Sequence, residues 1–143
     1  MSALPSSLIA ASALVIFALG ATHVALTFWS TKLHPRDPEI EAGLREAFPV
    51  LTRETTMWKA WVGFNASHGF GAVFFSLVYG YLSLFDRGLL LGSPFLLLVG
   101  LLLLSGYLFL GWRYWFSVPF RGIVLATGLY LLALVVLLVE RAS

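Results

Sequence analysis

The chain has 143 residues, 59% of them hydrophobic and 11% charged, with a mean hydropathy of +0.91 and a net charge of +2. The charged fraction is less than half the roughly 25% of a typical soluble domain, so the chain falls in the membrane class. The lack of cysteine excludes disulfides, thiolate metal sites and cysteine nucleophiles, and the dispersed basic residues exclude a nucleic-acid-binding run.

Residues 1–7 are short and uncharged, without the basic segment that opens a secretory signal. The apolar run at about 8–29 is long enough to cross a hydrocarbon core of ~30 Å and reads as a retained first span. Ala18, Gly20, Ala21 and Ala25 are small residues that would let a neighbouring helix approach closely. Residues 30–54 form the only long polar segment. Within it, Asp37 is an expected N-cap with Pro38 at the first helical position. Ile40, Leu44 and Phe48 recur at helical spacing, which predicts a short amphipathic helix ended by Pro49. Thr52 is the next expected cap.

The second span is expected at about 55–84, and Asp86-Arg87-Gly88 reads as a turn. Further spans follow at about 94–115 and 120–139. The expected fold is therefore all-α: one transmembrane domain over residues 1–143, an antiparallel four-helix bundle with a short amphipathic helix in the first connection. Lys32, Arg36, Arg45, Arg53, Lys59, Arg113 and Arg121 would share one side of the membrane, leaving Arg87 and Arg141 on the other. The positive-inside rule then puts both termini outside and the 30–54 loop in the cytoplasm. Trp29, Trp58, Trp61, Trp112 and Trp115 fall near the same cytoplasmic boundary.

The second span carries most of the candidate chemistry. Trp58, Trp61, Asn65, His68, Ala72 and Tyr79 lie along one stripe, and Gly63, Ser67 and Gly71 form a separate small-residue face. In the first span, Ser12, His23, Thr27 and Ser30 share a stripe. Ser105, Tyr107, Thr127 and Tyr130 offer hydroxyls from the last two spans. Polar groups at membrane depth are costly, so they should face the interior of the bundle. With Trp29 and Trp58 as depth markers, His23 lies ~9 Å and His68 ~15 Å below the boundary, near each other but not level.

Three readings follow. The polar residues can act as hydrogen-bonding glue between helices. His23 and His68 can be the axial ligands of a b-type haem. Or Trp61, Asn65, His68, His23, Thr27 and Tyr107 can line a pocket for a lipid, quinone or other apolar molecule. The histidine pair finds no intramembrane carboxylate to complete a metal site, and Ser67, adjacent to His68, diverges from it on a helix. Arg53, Lys59, Arg113 and Arg121 form either ordinary cytoplasmic flanks or a site for an anionic headgroup or phosphate.

The stretch TRETTMWKAWVGFNASHGFGA, with the upstream HPRD and the downstream RYWFSVP, resembles a group of uncharacterised bacterial four-helix membrane proteins. The resemblance covers most of the chain and implies the architecture and a bacterial cytoplasmic membrane, without naming a reaction. In size and topology the chain is also similar to the membrane-associated eicosanoid and glutathione metabolism family. Asn65 matches that family's asparagine, but the companion carboxylate and basic run are missing, so the likeness is architectural. The expected function is that of a multi-pass membrane protein that binds an apolar small molecule or lipid at the His23/Asn65/His68 pocket, or serves as an accessory subunit of a larger membrane complex. The alternatives are a cytochrome-like haem protein and a small membrane enzyme acting on a lipid-like substrate.

Overall fold

The computed structural model describes residues 2–142. They form α1 (Leu4–Trp29), α2 (Pro38–Glu46), α3 (Met57–Phe85), α4 (Arg87–Gly92), α5 (Pro94–Tyr114) and α6 (Ser117–Ala142). No strand occurs among the described residues. The four long helices, α1, α3, α5 and α6, are each apolar and long enough to cross a membrane. The protein is all-α and integral to a membrane.

The helix ends depart from the sequence reading for local reasons. α1 begins about one turn earlier than expected, because Pro5 falls in its first turn, where its missing N–H has no helical partner to lose. Pro119 sits in the first turn of α6 for the same reason, so that helix starts at Ser117. The expected turn after the second span is a capped helix instead. The Asp86 side chain accepts from the Leu89 N–H at 3.1 Å, and the short α4 buries Leu90 and Leu91. The cap of α3 is Thr56, not Thr52: its hydroxyl accepts from the Lys59 N–H at 3.3 Å.

The chain divides into two compact units, one of residues 1–19 and 72–143 and the other of residues 20–71. The first is a four-helix bundle built from the first part of α1, the second part of α3, α5 and α6, with α4 between α3 and α5. Ile9, Ile16, Phe75, Leu104, Ile123 and Leu137 form much of its core. Polar groups in it are bonded across helices. Ser12 Oγ donates to the Ala126 carbonyl at 2.8 Å, Tyr79 Oη to Leu96 at 2.6 Å and Tyr130 Oη to Leu97 at 3.0 Å. The two tyrosines reach α5 because residue 100 is glycine: a Cβ there would meet Tyr79 Cε1 at 2.7 Å and also collide with the Tyr130 hydroxyl. Phe74, Phe95 and Leu138 are exposed on the outer surface, as contact with hydrocarbon requires.

The second unit holds the last turns of α1, all of α2 and the first half of α3. Asp37 caps α2 by accepting from the Glu39 N–H at 2.9 Å, with Pro38 at the first position. The helix stops at Glu46, so Phe48 lies beyond it. No residue of α2 is buried, and Ile40 is exposed, as a helix lying on a membrane surface would be.

Candidate functional site

Within the second unit, the polar residues of α1 and α3 meet. The His23 and His68 rings touch edge to face, with centroids 5.1 Å apart and planes at 83°. Asn65, one turn before His68, faces His23 from both its side chain and its backbone. Its amide Nδ2 donates to the Trp61 carbonyl at 2.9 Å, which fixes the side chain along α3. His23 Nε2 is buried and has no hydrogen-bonding partner. A neutral imidazole has one donor and one acceptor nitrogen. An unmet one inside an apolar segment costs about 1–3 kcal/mol, so it is an expense with a reason to look for.

The depth mismatch inferred from the tryptophans does not hold, because Trp58 is a poor marker of the boundary. It packs between the His34 ring, at 4.7 Å, and the Arg45 guanidinium, at 4.4 Å, inside the polar segment. Glu41 ties these two together, lying 3.0 Å from His34 Nδ1 and accepting from Arg45 at 2.7 Å. The adjacent Arg45 guanidinium holds the Glu41 carboxyl below its ordinary pKa, and His34 acts in the same direction.

Within the second unit, α1 and α3 approach closely at Gly69. A Cβ on Gly69 would meet Val24 Cγ2 at 2.6 Å, the Val24 nitrogen at 3.3 Å and the Gly20 carbonyl at 3.4 Å. Gly63 has open space at the same test, and Ser67 is exposed, donating to the Phe64 carbonyl at 3.0 Å. The glycine that makes this approach, Gly69, lies outside the expected Gly63/Ser67/Gly71 face, beside the buried Ala66 one turn before it.

Each of the other expected pocket residues is placed within its own unit. Thr27 donates to the His23 carbonyl at 2.8 Å along its own helix, and Trp61 is 46% exposed, so it does not enclose the pair. Tyr107 belongs to the first unit, where its ring lies 6.3 Å from that of Trp115. Arg53 and Lys59 fall in the second unit and Arg113 and Arg121 in the first; all four are exposed. Within the second unit the cluster consists of His23, Asn65 and His68.

The pair does not fit haem as it stands. Metal–nitrogen bonds near 2 Å on opposite sides of an iron would hold the ring centroids about 6 Å apart, with a porphyrin plane between them. Rings in direct edge-to-face contact leave no such plane. Among the described residues no group of three or more His, Cys, Asp or Glu could hold a metal ion. The chemistry open to the cluster is hydrogen bonding and proton exchange at His23 and His68. Fold and cluster together define a multi-pass membrane protein with a polar patch inside its spans. Comparison with protein-family models, characterised proteins and solved structures finds no match to this chain.

Proposed function

We propose that the protein is a bacterial inner-membrane protein that binds the polar end of an otherwise apolar small molecule or lipid through His23, Asn65 and His68, acting alone or as a subunit of a larger membrane complex. One observation carries the reading: the buried, unpartnered Nε2 of His23, in edge contact with His68 in an apolar segment. An ionisable residue at membrane depth is rare and marks a candidate site, and an unmet nitrogen on it leaves a hydrogen bond for a ligand to make. A ligand carbonyl or hydroxyl would complete the hydrogen-bonding set of the imidazole, while its apolar body lay among the flanking side chains.

Mass spectrometry of the lipids and quinones carried through purification tests this. Wild type should retain one apolar species that His23→Leu and Asn65→Leu each lose by about tenfold, the effect of one to two hydrogen bonds to a buried site. Identical ligand complements in all three proteins would overturn it. In the same reading the positive-inside rule sets both termini outside and the 30–54 loop in the cytoplasm.

A further inference from the structure

A second feature lies in the first unit, apart from the histidine cluster. Phe109 and Trp112 of α5, with Val124, Thr127, Gly128 and Leu131 of α6, wall a groove of ≈ 640 Å³ that is apolar almost throughout. The volume is in the range of small-molecule and cofactor sites, about 300–1,000 Å³. Its floor is open because residue 128 is glycine, where a Cβ would touch nothing within 4 Å. Thr127 is only 5% exposed, and its Oγ1 is buried without a hydrogen-bonding partner. Arg113, in the last turn of α5, and Arg121, near the start of α6, are exposed at the end of the groove marked by Trp112.

We infer that this groove holds one acyl chain of an anionic phospholipid, with the phosphate at Arg113 and Arg121 and an ester carbonyl accepting from Thr127. Charge selects the headgroup: two cations and no carboxylate stand in the α5–α6 connection and its flanking turns. Depth agrees with the headgroup: from Arg121 to Leu131 α6 rises roughly 15 Å, of which about 9 Å to Thr127 spans the polar layer and about 6 Å takes the first part of an acyl chain. Thr127 lies about 9 Å inward of Arg121, close to the depth of the polar layer of one leaflet, roughly 5–8 Å. A phosphate held by the arginines therefore brings its ester groups near the unmet hydroxyl.

The test is native mass spectrometry of the full chain released from equimolar phosphatidylglycerol and phosphatidylcholine bilayers. Wild type should carry one phosphatidylglycerol in preference to phosphatidylcholine. Arg113→Gln and Arg121→Gln should each lower that preference about fivefold, the share of one cation at an anionic surface. Gly128→Leu, which fills the floor and leaves both charges, should lose the bound lipid while circular dichroism stays unchanged. Equal retention of the two lipids in wild type would mean an adventitious lipid only and overturn the proposal. So would unchanged retention in the arginine variants or in Gly128→Leu, or a dimer of chains in place of a lipid-bound monomer.

Discussion

His23 is the residue whose replacement separates structure from function most cleanly. Its Nε2 lacks a partner, so His23→Leu removes an unmet polar atom but gives up the edge contact with His68 and the contacts with Asn65. The gain is about 1–3 kcal/mol and the losses about 0.5–1.5 kcal/mol for each contact, so they offset and the variant should unfold within about 1 kcal/mol of wild type. Thermal unfolding in detergent measures this, and a clear fall in Tm would mean that the histidine is a packing element. Glycines make a sharper pair. Gly69→Ala should destabilise by roughly 1–3 kcal/mol, since its Cβ would run into the Val24 backbone as well as its side chain. Gly63→Ala, with open space around it, should be neutral or stabilising by up to about 1 kcal/mol from helix propensity. If the two behave alike, the α1–α3 contact is not made through Gly69. At this scale the sequence discloses which residues are polar inside apolar spans, and so His23, Asn65 and His68 were legible. It does not disclose their level, because Trp58 looks like an interfacial anchor and is in fact clamped by His34 and Arg45.

Elements were legible wherever a run of apolar residues outlasts the thickness of a bilayer, which holds for α1, α3, α5 and α6. Their ends were less so, because a proline marks a boundary by either stopping a helix or sitting in its first turn, and Pro5 and Pro119 do the second. α4 was missed because six residues are too few to show a period. The amphipathic α2 was legible from its cap and stripe, and the loop around it makes a prediction about pH. Glu41 is held below its ordinary pKa first by Arg45, with His34 adding to the effect. A carboxyl whose folded pKa is depressed contributes stability that is present above its ordinary titration range and is lost as pH falls through the depressed value. Docking of Arg45 on Trp58 should thus persist from neutral pH down through the ordinary carboxylate range and fail only below it. Fluorescence of Trp58, isolated by replacing the other tryptophans with Phe, follows the contact. Glu41→Gln should flatten the acid transition, and a transition unchanged in that variant would assign it to another group.

For the whole molecule, the orientation of the spans is the largest consequence of a few charges. Seven of the nine cations, Lys32, Arg36, Arg45, Arg53, Lys59, Arg113 and Arg121, fall in or beside the α1–α3 and α5–α6 connections. The remaining two are Arg87 and Arg141, and Arg141 donates to the Leu91 carbonyl. Orientation depends on Lys and Arg within about 15–20 residues of the span ends, with little contribution from Asp and Glu, so the acidic residues of α2 do not offset this bias. An even number of spans returns the chain to its starting side, and in the proposed orientation the bias would put both ends outside. Alkaline phosphatase fused after residue 143 should be active, and the same enzyme inserted between residues 50 and 51 should be inactive. The reverse pattern would overturn the assignment. Replacing Arg53, Lys59, Arg113 and Arg121 with Gln leaves three cations, Lys32, Arg36 and Arg45, against two, and should produce a mixed population in which both fusions give partial activity. Because all four side chains are exposed, such mixing would report on insertion and not on a damaged fold.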